Sequence, residues 1–114
     1  MLKIYMEFRK GILFVRLNGI LTKDTIDILN SEVLETIKNN GIKYLSYNLE
    51  ELEYIDIMGI KGIIESFNLI NNNNGQLILC GYKDLVKIRL EKNKLFDYIN
   101  HTSNELKVFE LIKV

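Results

Sequence analysis

The sequence predicts an α/β fold: a mixed sheet of about five strands with about four helices, in the order β-β-α-β-α-β-α-β-α, in one domain spanning residues 1–114. Three observations carry this expectation. The N-terminal segment alternates apolar and polar residues at period two, and a second such segment follows across a short turn, which reads as an antiparallel hairpin. Beyond residue 22, stretches with helical spacing alternate with short apolar runs, the pattern of strands joined by helical crossovers. A length of 114 residues suits one hydrophobic core.

Leu2, Ile4, Met6 and Phe8 alternate with Lys3, Tyr5 and Glu7, a half-buried first strand. Arg9-Lys10-Gly11 is the turn, and Ile12 to Leu17 is the second strand, with Leu13, Val15 and Leu17 on one face. Asn18-Gly19 reads as the end of that strand. Thr22 is placed to cap the first helix, with Asp24 in its first turn and Ile26, Leu29, Val33 and Ile37 on its apolar face. Gly41, after Asn39-Asn40, suits a left-handed helix cap. Ile42 to Leu49 is the third strand. An acidic turn through Glu50, Glu51 and Glu53 then leads to a second helix opening at Asp56-Ile57-Met58-Gly59. That helix places Ile60, Ile63, Ile64, Phe67 and Ile70 on one face, and Met58, Lys61, Glu65 and Asn68 on the other. Gln76 to Cys80 is apolar enough to be a central strand. Lys83 to Lys92 forms a third helix with Val86 and Leu90 inward, and Tyr98-Ile99 a short edge strand. Asn104 caps a last helix, with Leu106, Phe109, Leu111 and Ile112 available to dock it.

Composition narrows the function classes. Lysine plus arginine equals aspartate plus glutamate at 15 each, which removes the electrostatic case for nucleic acid or an anionic membrane surface. The N-terminus lacks an apolar secretory core, and no apolar run is long enough for a membrane span, so the chain reads as soluble and cytoplasmic with no direct membrane insertion. The single cysteine, Cys80, lies in the apolar run LILC and reads as a buried, inert thiol. The single histidine, His101, lies in a polar segment, so neither a histidine-rich metal set nor a cysteine–histidine nucleophile can be assembled. There is no phosphate-cradling glycine loop. The chain therefore reads as a non-enzyme that needs no metal and no cofactor.

What remains is the start of the second helix. Asp56 is suited to the N-cap, where its carboxylate can accept a backbone N–H and favour the positive helix end. Ile57 and Met58 follow where small polar residues would be unremarkable. Ile57 can fold back onto the core as a staple, and Met58, on the polar side of the helix, can form an adaptable contact surface or fill space under a neighbouring loop. Both readings stay open on the residues alone.

Taken together, VRLNGILTKDT (15–25), YNLEELEYIDIMGIKGII (47–64), GQLILCG (75–81) and LVKIRLEKNKLFDYI (85–99) resemble the STAS family, and within it the small stand-alone antagonists of anti-sigma factors. The family's patterns are a strand ending L-x-G-x-L-D and a later N-L-x-x-[LV]-x-x-[IM]-D-S-[ST]-G-[LI]. The resemblance implies a protein switch whose partner is an anti-sigma factor of the serine kinase type, or a related regulatory protein. In such antagonists that partner phosphorylates a serine or threonine at the start of the second helix. Here Asp56 and Gly59 match, but the acceptor position falls on Met58 and the position before it on Ile57. Methionine carries no hydroxyl, so phosphorylation there is chemically impossible. The acidic residue that the family places before the first helix falls on Thr22. The resemblance thus implies a partner-binding surface at Thr22, Lys23, Asp24, Tyr54, Ile55, Asp56, Ile57, Met58, Gly59, Lys61, Gly62 and Glu65. It also leaves room for a STAS regulatory subunit of a membrane transport system, or for a small-ligand sensor with a pocket near the carboxyl ends of the strands.

Overall fold

The computed structural model describes residues 1–112. A single five-stranded sheet runs β1 (Leu2–Arg9), β2 (Ile12–Leu21), β3 (Tyr44–Ile55), β4 (Gln76–Cys80) and β5 (Asn100–Thr102), and its spatial order equals its sequence order. β1 and β2 are antiparallel, and every other neighbouring pair is parallel. Four helices connect and cover it: α1 (residues 26–40), α2 (Ile57–Asn72), α3 (Asp84–Lys92) and α4 (Glu105–Leu111). The expected class, order and mixed sheet are all present.

The hairpin turns on Lys10 and Gly11, which both take positive φ, at 51° and 83°. Two consecutive left-handed residues match the right-handed twist of the strands they join. α1 is α-helical over Ile26–Leu29 and Glu35–Asn40, with a π-helical stretch at Asn30–Leu34 between them. It ends on Gly41 at φ 56°, the left-handed cap expected there.

The strand periodicity explains the layers. Leu13, Val15 and Leu17 of β2, Leu45, Tyr47 and Leu49 of β3, and Leu77 and Leu79 of β4 face one side of the sheet. They are buried there with Leu29, Val33 and Ile37 of α1, Ile60, Ile63 and Ile70 of α2, and Val86 and Leu90 of α3. The alternate residues Ile12, Phe14, Ile78 and Cys80 face the other side and are buried by Val108 of α4 and by Ile112. Each large apolar side chain so buried contributes about 1.5–3 kcal/mol. β2 and β4 are thus apolar on both faces. Burial pushes the Cys80 thiol up to about 11, which keeps it protonated at neutral pH, as its apolar run implies.

Several expected boundaries move. β2 does not stop at Asn18-Gly19 but continues to Leu21, because a second parallel register with β3 resumes at Ile20↔Tyr54 after an irregularity. Gly19 lies inside the strand. At φ 112°, its ideal Cβ would lie 2.1 Å from the Met1 carbonyl oxygen, so only glycine allows that approach. β3 likewise runs through Glu50, Glu51 and Glu53 to Ile55, so these acids are strand residues and not a loop. α1 starts at Ile26, four residues after Thr22. Thr22 is instead buried in a turn whose carbonyl accepts the Thr25 and Ile26 amides at 3.0 and 2.8 Å. β5 is shifted to residues 100–102, because Ile99 turns inward to the main core. In α4, Asn104 caps the Lys107 amide at 3.0 Å as expected. Val108 and Ile112 dock it, while Leu106 and Leu111 are exposed.

Candidate partner-binding site

Only one residue separates β3 from α2. Asp56 has an extended backbone (φ −106°, ψ −174°) and its Oδ1 accepts the Gly59 amide at 2.9 Å, a side-chain N-cap. Its Oδ2 accepts the Lys23 backbone amide at 3.0 Å. One carboxylate therefore ties the turn before α1 to the first turn of α2. Burial would raise the Asp56 carboxyl. The Gly59, Lys23 and Met58 backbone amides and the Lys23 charge outweigh it and hold the group below its ordinary value, so it is ionised at neutral pH. The Asp56 amide in turn donates to the Leu21 carbonyl at 3.2 Å, continuing the strand pairing into the cap.

The packing behind the cap is tight. An ideal Cβ on Gly59 would lie 2.3 Å from the Leu21 carbonyl oxygen and 2.7 Å from Ile55 Cγ1. One on Gly62 would meet Ile26 Cδ1 at 2.7 Å and Leu29 Cδ2 at 2.9 Å. These glycines let α2 sit against the end of β2 and against α1. The Thr25 hydroxyl fastens the neighbouring turn, donating to the Ile20 carbonyl and accepting the Thr22 amide, both at 2.9 Å.

The structure brings the two predicted turns together and sorts their residues. Lys23, Asp24, Ile57, Met58, Lys61 and Glu65 are exposed, and Tyr54 and Asp56 are half-buried. Thr22, Ile55, Gly59 and Gly62 are buried and lie beneath the exposed residues of the two turns. Ile57 is 54% exposed and Met58 38% exposed, so neither is folded back as a staple. This leaves an apolar pair open to solvent on a rigid helix start.

The two serines nearest to Met58 in sequence are both sealed in the core. Ser66 is fully buried, donates to the Gly62 carbonyl at 2.8 Å and shares a 2.8 Å hydrogen bond with the Tyr47 hydroxyl. Ser46 is fully buried beside Cys80 Sγ.

α3 adds residues that the sequence reading passed over. The Arg89 guanidinium lies 4.6 Å from the centroid of the Tyr54 ring, a cation–π contact that seats α3 beside the end of β3. Lys83, just before α3, pairs with Glu53 at 2.6 Å. Leu85, one turn before Arg89 on the same helix side, and Ile88 are exposed. The signal was present in the spacing: both leave the Val86–Leu90 face although both are apolar.

A groove of about 610 Å³ lies on the sheet's other side, between Tyr5, Arg16, Asn48, Glu50 and the start of α4. Within it Glu105 accepts Arg16 Nε and Nη2 at 2.8 and 2.9 Å and Asn48 Nδ2 at 2.7 Å. The Arg16 hydrogen bonds, helped by Asn48, hold the Glu105 carboxyl below its ordinary range against the effect of burial. The groove lies over the middle of β2 and β3 and just past the carboxyl ends of β4 and β5. Among the described residues, no group of His, Cys, Asp and Glu side chains could hold a metal ion, and no helix is long and apolar enough to cross a membrane.

Comparison with known proteins agrees with this geometry. Over 113 residues the chain is 28% identical to an anti-sigma F factor antagonist of Paenibacillus polymyxa, covering 99% of this chain and 97% of that one. The fold matches the crystal structure of an anti-sigma factor antagonist from Mycobacterium paratuberculosis with a TM-score of 0.88 at 12% identity, covering 98% of this chain and 94% of the other. It matches the Bacillus cell fate determinant SpoIIAA, solved in its phosphorylated form, with a TM-score of 0.75 at 14% identity over 96% of this chain and all of that one. The family model described as the STAS domain matches residues 3–109, and the chain belongs to the STAS domain family.

Proposed function

We propose that this protein is an anti-sigma factor antagonist that works without phosphorylation at the start of α2. It binds an anti-sigma factor of the serine kinase type, or a related regulatory protein, and so frees the sigma factor. The contact surface is formed by Lys23, Asp24, Tyr54, Asp56, Ile57, Met58, Lys61 and Glu65, and the role asks no catalysis of the chain.

One observation carries the reading: Ile57 and Met58 are exposed on a helix start that is capped and braced from three sides. An exposed apolar pair costs solubility unless a partner covers it, and methionine is the adaptable side chain for such a contact. The position offers no hydroxyl, and the nearby Ser46 and Ser66 are sealed in the core. A serine kinase therefore has no acceptor at this surface among them.

The test is to mix the purified protein with its cognate anti-sigma kinase, with and without ATP, and follow the complex by size-exclusion chromatography and intact mass. The expected result is a complex that forms in both conditions, with no added phosphate on this chain. Absence of a complex at micromolar concentrations overturns the binding role. A phosphate gained with ATP, together with dissociation, overturns the unswitched role.

The groove beneath α4 favours a second reading, a small-ligand sensor. Ligand-dependent thermal stabilisation, lost in Arg16→Ala, is its expected signature. A flat response across nucleotides and common metabolites removes it.

A further inference from the structure

β1 is an edge of the sheet, and its outer side is open. The Ile20 amide donates to the Met1 carbonyl at 2.9 Å, in register with the Leu2↔Gly19 ladder that follows. Hydrogen-bonded and non-bonded pairs alternate in an antiparallel ladder. The odd-numbered residues of β1 therefore spend their backbone groups on β2. Those of Leu2, Ile4, Met6 and Phe8 point outward, with no strand among the described residues to receive them. The side chains are unusual for an open edge. Tyr5 is 53%, Met6 41% and Phe8 63% exposed, and no proline interrupts the strand. A long edge strand with apolar side chains is a template for another strand.

We infer that β1 pairs with β1 of a second copy of this chain, antiparallel about a two-fold axis at Tyr5, joining two five-stranded sheets into one of ten. The register follows from the sequence of the strand itself. When residue positions sum to ten, Leu2 lies opposite Phe8 of the second copy and Ile4 opposite Met6, and each pair can exchange two backbone hydrogen bonds. On the other face Lys3 lies opposite Glu7, an attractive cross-strand pair, and Tyr5 lies against its own symmetry mate. Moving the register so that positions sum to twelve sets Lys3 against Arg9, like charges face to face. Positions that sum to eight leave Phe8 with no residue opposite. Only the first register satisfies backbone, charge and apolar face together, and an interface of the same strand with itself closes as a dimer. No residue of the proposed partner surface lies on β1, so this inference and the antagonist role can fail separately.

The experiment uses the full chain. Light scattering across a concentration series should show a monomer–dimer equilibrium, since a two-strand seam is a small interface. Residues facing each other across a non-hydrogen-bonded pair have Cα atoms about 4.5 Å apart, within disulfide reach. Tyr5→Cys should therefore cross-link to a covalent dimer under mild oxidation. Lys3→Cys should not, because its symmetry mate lies four residues along the strand, about 13 Å away. Lys3→Glu should shift the equilibrium to monomer, and Lys3→Glu with Glu7→Lys should restore the dimer. Circular dichroism of each variant keeps a folding failure distinct from a loss of association. A chain that stays monomeric at every concentration with Tyr5→Cys reduced overturns the inference. So does a dimer in which both cysteine variants cross-link alike, or one that the charge swap fails to restore.

Discussion

The Asp56 carboxylate accepts the Lys23 backbone amide across 33 residues of sequence, at 3.0 Å, while its other oxygen caps Gly59. A helix cap is ordinarily a local device. Here it also fixes the turn that precedes another helix, adding a side-chain tie to the β2–β3 ladder that sets the two turns side by side. That tie makes several consequences measurable.

Asp56→Ala removes both bonds. Loss of an N-cap costs about 1 kcal/mol, and loss of the second bond to the same carboxylate about as much again. The expected fall in stability is about 1–3 kcal/mol, or roughly 4–10 °C in Tm for a domain of this size. Asp56→Asn keeps a side-chain oxygen for the Gly59 amide and should lose about half as much. Thermal denaturation of the three proteins side by side is the check. An alanine variant as stable as the parent would show that the tie contributes nothing.

The same carboxylate gives a pH dependence. Asp56 and Glu105 are both held below their ordinary values in the folded chain. The unfolded chain therefore takes up protons first. The stabilisation is fully present above the unfolded carboxylate range, about 4, and is lost as pH falls through the lower folded values. Urea midpoints measured from pH 7 down to pH 3 should decline below about 4. The decline should be shallower in a variant carrying Asp56→Asn and Glu105→Gln. An unchanged slope in that variant would remove these two groups as its source.

Gly59 and Gly62 should respond differently to the same substitution. A methyl group at Gly59 meets a backbone carbonyl oxygen at 2.3 Å, which moves only if β2 or α2 moves. At Gly62 the neighbours are the ends of the Ile26 and Leu29 side chains, which can yield. Alanine in a helix gains about 0.5–1 kcal/mol over glycine, whereas overpacking costs about 1–3 kcal/mol. Gly59→Ala should be net destabilising by about 2 kcal/mol in chemical denaturation, and Gly62→Ala by less than about 1 kcal/mol. Equal losses would mean that the close approach at Leu21 is not what requires glycine at position 59.

Much of this architecture was legible because the periodicities are strong. The Val86–Leu90 pair, the Asn104 cap, the Asp56 cap and the left-handed Gly41 all follow from local rules, and all are present. The expected ends that moved were decided by pairing, which local sequence does not encode. β3 keeps Glu50, Glu51 and Glu53 in strand because β2 resumes its ladder alongside them. Gly19 looked like a strand end because its purpose, room for the Met1 carbonyl, lies across the sheet. The two turns were legible, but the tie between them was not. The Lys23 amide that Asp56 accepts is a backbone group with no signature in the sequence. The exposed Leu85 and Ile88 of α3 were hidden by attention to the inward pair.

Met58→Glu separates the helix from the contact. A carboxylate in the first turn of α2 interacts favourably with the helix dipole, by about 0.3–1 kcal/mol at an exposed position. Stability should therefore be unchanged or slightly raised, since the Met58 side chain is already 38% exposed and leaves no large cavity. Binding should respond in the opposite direction. A charge set into an apolar contact loses its hydration without a counter-ion, so affinity for the anti-sigma partner should fall by at least tenfold, about 1.4 kcal/mol. Met58→Leu, similar in volume and equally apolar, should bind within a few-fold of the parent. Isothermal titration calorimetry for affinity and thermal melting for stability read the two effects independently. If the glutamate variant binds as well as the parent, Met58 lies outside the contact. If it binds weakly but also melts well below the parent, the loss belongs to the helix and not to the surface. Only a weak-binding variant of undiminished stability assigns a docking role to this position.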